Sequence, residues 1–215
     1  MSQTIPGTDR RHLRRQQTID EIIEVAVRLM AVSGVAGLSL GQVARQVGVR
    51  TPSLYGYFPS KNALYDAVFT RGARSVLDAV GAANADAGQA DSAYDALLIA
   101  GRAMARWCMA NQVYAQLLFW RPVPDFTPSP DAYQPAVELV DRTRTLFTDM
   151  RDRGLLRSDA DLDAAVRDWI VVVSGVLSQQ LANAPDEDAE TGRFVSALPS
   201  LTRMFTREYG TSPAR

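Results

Sequence analysis

Three hard stops lie within 26 residues of one another, Gly34, Gly48 and Pro59, and between them only short elements fit. A glycine adopts the left-handed conformation that ends a helix, and a proline cannot continue one. Before the first stop, Ile19, Ile22, Ile23, Ala26, Leu29 and Met30 recur at three- and four-residue steps, the apolar stripe of an amphipathic helix. Thr18, with Glu21 three residues on, reads as the capping box that starts it. Ser39 and Gln42 form a second such box, with Leu38 and Val43 placed as a hydrophobic staple, and the short helix that follows carries Val43, Ala44 and Val47 up to Gly48.

The next segment, Arg50-Thr-Pro-Ser-Leu-Tyr-Gly-Tyr-Phe-Pro-Ser-Lys61, reads as a two-turn helix. Thr51 serves as N-cap and Pro52 suits the first helical position, where its missing N–H needs no partner. Leu54 and Phe58, four apart, point to the core. Ser53, Gly56 and Tyr57 form the opposite face, small or polar-tipped, as in a helix meant to enter a groove. Ser60 caps a further helix with Leu64, Ala67, Val68 and Phe69. Helix, glycine turn and short helix make a helix-turn-helix, whose second helix presents residues to the major groove of DNA.

On these residues the stretch from about Thr18 to Val68, "LSLGQVARQVGVRTPSLYGYFPSKNALYDAV" above all, resembles the DNA-binding domain of the TetR family of bacterial transcriptional regulators. The rest of the chain is similar to TetR-type ligand-binding domains in size and helical character. Trp107, the proline-rich 121–130 and Trp169 with Ser174-Gly175 are similar to a subgroup named for a Trp-His-Gly motif, although the histidine is absent. The resemblance implies base contacts from Arg50, Thr51, Pro52, Ser53 and Gly56, with Tyr57 beside them, phosphate contacts from Tyr55 and Lys61, and Ser39 on the same surface. Chemistry agrees, since guanidinium pairs bidentately with guanine, and a phenol or an ammonium suits a phosphate oxygen. Tyr55 packed as core is the alternative for that residue. Arg14 and Arg15 are open between a solvated tail and an arm touching the DNA backbone.

Net charge supports the division. Up to residue 80, ten bases face six acids, a net +4, and the overall −1 leaves −5 on the remainder. A basic module joined to an acidic one fits a polyanion met only by the first part. The assignment is a domain of residues 1–80, DNA-binding with a basic arm and connecting helix, and a ligand-binding and dimerisation domain of residues 81–215, linked through "GAANADAGQAD" at 81–91. The expected helices of the second domain start at Ser92 and include about 131–153, 159–182 and 190–208, the last kinked at Pro199. Four prolines keep 121–130 a loop. No alternating strand pattern appears, so the fold class is all-α: a three-helix helix-turn-helix domain followed by a larger helical domain.

A cavity for a small, largely apolar effector is implied, and Met104, Trp107, Tyr114, Leu117, Trp120, Phe126, Phe147, Met150, Trp169 and Val173 are its candidate lining, with the proline-rich segment as a flap. In residues 162–181 the core positions are Leu162, Val166, Trp169, Ile170, Val173, Val176 and Leu177. That leaves Val171, Val172, Gly175 and Gln179 on a second face, the expected homodimer interface. An enzyme is not expected: the one histidine, His12, lies in the basic tail and Cys108 has no histidine near it, so no catalytic site, metal site or cofactor is assigned. A helical small-molecule carrier without a DNA role is the other alternative. One cysteine and no run of about 18 apolar residues fit a cytoplasmic protein without a membrane span. The reading as a whole is a ligand-responsive regulator, a repressor that binds a palindromic operator as a homodimer.

Overall fold

The computed structural model describes residues 7–211, with side chains from Arg10 onward; the extreme ends of the two assigned domains, 1–6 and 212–215, lie outside the described residues. Nine α-helices occur among the described residues, and no β-strand, only an isolated bridge between Leu156 and Gly210. In chain order they are α1 (Gly7–Ser33), α2 (Leu40–Val47), α3 (Thr51–Leu54), α4 (Lys61–Ala87), α5 (Ala93–Ala110), α6 (Gln112–Phe119), α7 (Pro130–Asp152), α8 (Leu162–Asn183) and α9 (Leu198–Tyr209). The all-α expectation is met.

The local stop signals act as chemistry requires. Gly34 and Gly48 both stand at φ +78°, and the Gly48 N–H closes α2 on the carbonyls of Ala44 and Arg45. The Ser60 and Ser92 hydroxyls accept from the N–H groups of Ala63 and Asp95, capping α4 and α5. Leu38 and Val43 are both buried, as the staple requires, while Ser39 caps α2 without a side-chain hydrogen bond.

Several expectations are corrected. Thr18 does not start a helix: α1 begins eleven residues earlier, at Gly7, and the Thr18 hydroxyl donates to the Arg14 carbonyl at 3.0 Å. A string of arginines satisfies helix propensity even though it carries no apolar stripe. Thr51 is the first helical residue and Arg50 the cap, with Pro52 one position later than expected. Residues 81–87 are no linker but the last turns of α4, so the boundary at 80 falls inside a helix. Pro199 does not kink α9; it lies in its first turn, after the short 3-10 turn Val195–Ala197. Ile170, expected in the core, is 39% exposed.

Two apolar cores form. The N-terminal one joins Ile22, Val25, Ala26 and Met30 of α1, Val43 of α2, Leu54, Phe58, and Leu64, Tyr65, Val68 and Phe69 of α4. The other gathers the last turns of α4 with α5, α7, α8 and α9 around Leu97, Phe147, Met150, Trp169 and Phe205. Helix α4 belongs to both, because its apolar stripe runs from Leu64 to Val80 without a break.

Candidate functional site

The short α3 is held from beneath and open above. Leu54 and Phe58 are buried, and the Phe58 N–H returns to the Leu54 carbonyl at 2.9 Å, completing a second turn past the helix proper. Arg50, Thr51, Pro52, Ser53 and Gly56 are exposed, and Tyr57 is half-buried. Tyr55 is 50% exposed, so its ring is not core. Ser39 is half-buried at the N-cap of α2. Lys61 donates from Nζ to the Ala36 carbonyl at 3.2 Å and lies 5.5 Å from the centre of the Tyr65 ring, which ties its ammonium to the turn after α1.

The sequence leaves Arg15 open between a solvated tail and a DNA-touching arm, and the structure gives it an intramolecular contact. Its Nη2 donates to the Gly56 carbonyl at 3.1 Å, and its guanidinium stands 4.9 Å from the Tyr57 ring centre. The extended α1 thereby props the end of the α3 segment. Arg10, Arg11 and Arg14 are exposed on the same helix.

In the second core lies a cavity of about 110 Å³. Val80 and Asn84 of α4, Ala100, Gly101 and Met104 of α5, and Phe119 of α6 form one side; Thr143 and Leu146 of α7, with Trp169, Ile170, Val173, Ser174 and Leu177 of α8, form the other. Of the ten sequence candidates, Met104, Trp169 and Val173 line it. Trp107 turns its indole N–H to Ser75 Oγ at 3.0 Å, and Trp120 bonds Ser178. Phe147 and Met150 are fully buried packing, Phe147 edge-on to Phe205. Leu117 and Phe126 lie in the N-terminal core, and Tyr114 sits over Gly72 of α4. Val80 and Asn84 lie where the sequence reads as a domain end and a linker but α4 continues; the unbroken α4 stripe is the signal for Val80, and no sequence signal marks Asn84.

The cavity and the N-terminal core share helices α4 and α6. Helix α6 ends at Phe119 on the cavity and carries Tyr114, whose ring lies where a Cβ on Gly72 would fall, 2.7 Å from Cδ1. Burial pushes the Tyr114 phenol up, opposed by nearby Arg71, which is ion-paired with Asp20 of α1. The proline-rich segment is no flap over the cavity. Phe126 packs on Tyr65 with ring centres 5.4 Å apart, Asn62 Nδ2 donates to the Asp125 carbonyl at 3.2 Å, and the Ser129 N–H donates to Asp66 at 2.8 Å. The loop is thus clamped on the first turns of α4, and Tyr65 in turn donates to the Val35 carbonyl at 2.7 Å.

On α8, Val171 is 63% exposed, Val172 half-buried, and Gly175 and Gln179 exposed, with open space around Gly175. Met204 of α9 is likewise 63% exposed. Burial pushes the Cys108 thiol up to about 12, which keeps it protonated and unreactive. Among the described residues no cluster of three potential metal-ligating side chains occurs, and no helix is long and apolar enough to cross a membrane.

Residues 22–68 match the family model described as bacterial regulatory proteins, tetR family. The HTH-type transcriptional regulator Rv1816 of Mycobacterium tuberculosis is 32% identical over 117 residues, 54% of this chain and 50% of that protein. The HTH-type transcriptional repressor DrrR1 of Streptomyces coeruleorubidus is 41% identical over 54 residues, 25% of this chain and 20% of the other. The chain thus spans about half the length, or less, of these curated relatives. Among solved structures, a TetR-family regulator of Mesorhizobium loti superposes with a TM-score of 0.71 at 17% identity, covering 92% of this chain and 99% of the other. FadR of Bacillus subtilis, solved with stearoyl-CoA, gives 0.66 at 15% identity over 86% and 96%. The N-terminal domain is of the TetR type, and the fold is that of TetR-family regulators throughout.

Proposed function

We propose that this chain, a TetR-type regulator by its N-terminal domain, binds double-stranded operator DNA as a homodimer and is released by a small, largely apolar effector, acting as a cytoplasmic repressor. The observation that carries the reading is the α3 segment itself: five exposed residues, Arg50 to Ser53 and Gly56, on an element clamped from below by Leu54 and Phe58. Exposed donors on a rigid short helix suit base edges in a major groove.

One such helix reads few base pairs, so two copies related by a dyad are needed for a palindrome. The surface of Val171, Val172, Gly175 and Gln179 on α8 supplies a face for that pairing, and Met204 of α9 is exposed as well. The effector route runs through α4, which lines the cavity at Val80 and Asn84 and builds the N-terminal core at Leu64 and Tyr65. A molecule favouring one placement of α4 shifts the spacing of the paired α3 helices and thereby operator affinity.

Selection of bound fragments from random double-stranded DNA by the purified protein is the test. The expected product is a palindromic site whose affinity falls steeply with salt. Recovery of no shared sequence, with binding equal to that of random DNA, overturns the reading.

A further inference from the structure

The cavity has nearly uniform walls, with one exception. Of its three polar residues, Thr143 spends its hydroxyl proton on the Leu139 carbonyl at 3.0 Å, and Ser174 donates to the carbonyls of Ile170 and Val171 within its own helix. Asn84 differs: its Oδ1 is buried and no protein group donates to it. Nothing local calls for asparagine at this point of α4, between alanines that are better helix formers, and its backbone carbonyl accepts from the Gly88 N–H at 2.9 Å without involving the side chain. An acceptor kept buried and unpaired at a cavity wall fits a donor that arrives with a ligand.

We infer that the effector is a neutral, single-ring or similarly compact apolar molecule carrying one hydroxyl or N–H group, which it donates to Asn84 Oδ1. The inference rests on the cavity being the effector site proposed above. Size sets one limit: an engineered cavity of about 150 Å³ accepts benzene, so about 110 Å³ accommodates a small ring with part of it at the mouth, where Phe119 and Ile170 are 40% and 39% exposed. Charge sets the other limit, because none of the lining residues is ionisable and a carboxylate or ammonium would be buried without a partner. Contact with Asn84 also places the ligand directly on the helix that reaches the N-terminal core.

Phenol, anisole and toluene separate the contributions by calorimetric titration without DNA. Phenol can donate, anisole can only accept, and toluene does neither. The wild-type protein is expected to bind phenol about tenfold more tightly than either of the others, and Asn84→Leu to bring all three within about threefold. Equal affinity for phenol and anisole in the wild type overturns the inference without recourse to any variant, and so does a phenol preference that survives Asn84→Leu. A phenol preference lost in Asn84→Leu, together with operator affinity unchanged by saturating phenol, upholds the ligand chemistry and overturns the effector role. Failure of all three probes to bind overturns the ligand chemistry and leaves DNA recognition standing.

Discussion

Gly48 at φ +78° has nothing within 4 Å of the place a Cβ would occupy, so any effect of substitution there is backbone strain alone. Gly48→Ala should lower stability by about 1–2 kcal/mol, read from the denaturant midpoint, because an L-residue in the left-handed region is disfavoured by that much. Arg50 and Lys61 should separate in kind. Arg50→Ala is expected to weaken operator binding by about 1–3 kcal/mol and relax preference at one base pair per half-site, whereas Lys61→Ala weakens all sequences alike and flattens the salt slope. Equal loss of operator and random DNA by Arg50→Ala would show that it touches backbone only. Cys108 gives a pH effect of definite sign. Its folded value of about 12 lies above its ordinary value of 9.0, so its contribution is complete below about pH 9 and is lost as pH rises toward 12. Burial raises Tyr65 and Tyr114 in the same direction. The unfolding midpoint should therefore fall above about pH 9, and less steeply in Cys108→Ala.

Helices α4 and α6 are the elements that contribute both to the cavity and to the N-terminal core. The Tyr114 ring fills the space above Gly72, and the same helix ends in Phe119 at the cavity. A methyl group at Gly72 must push the ring aside, so Gly72→Ala should destabilise by about 1–3 kcal/mol as overpacked cores do. Combining it with Tyr114→Ala should give less than the sum of the two single effects, since the second change vacates the space the first one needs. Additive effects in chemical denaturation would show that ring and glycine do not share that space. The clamp of Phe126, Asp125 and Ser129 on α4 is a second link of the same kind, from the loop between α6 and α7 to the helix that enters the N-terminal core.

The chain combines a basic N-terminal part with an acidic remainder, and the α8 face with exposed Val171 and half-buried Val172 belongs to this scale. Val172→Asp or Gly175→Glu should give folded monomers in sedimentation that no longer hold the operator at nanomolar concentration. A wild-type protein sedimenting as a monomer at micromolar concentration would remove the dimer from the proposal. If Val172→Asp instead unfolds the chain at unchanged mass, the face is internal packing.

Helix ends and the direction of short-range apolar pairs follow from local chemistry alone. Gly34 and Gly48 end helices because of their own backbone constraints, whereas α3 ends at Leu54, before Pro59 is reached; Ser60 and Ser92 cap because a hydroxyl reaches an N–H three residues on, and Leu54 with Phe58 must point one way at helical spacing. Those signals were enough to mark the α3 segment and its exposed residues. The tertiary structure decided everything that depends on a partner distant in sequence. Leu117 and Phe126 read as large apolar groups of the second domain, yet they complete the first core, because the loop after α6 folds back onto α4. Trp107, Phe147 and Met150 are as apolar as Met104 and Trp169, and only the packing of α4, α5, α7 and α8 makes two of these five line a cavity. Burial is a property of two surfaces meeting, and one segment of sequence carries only one of them.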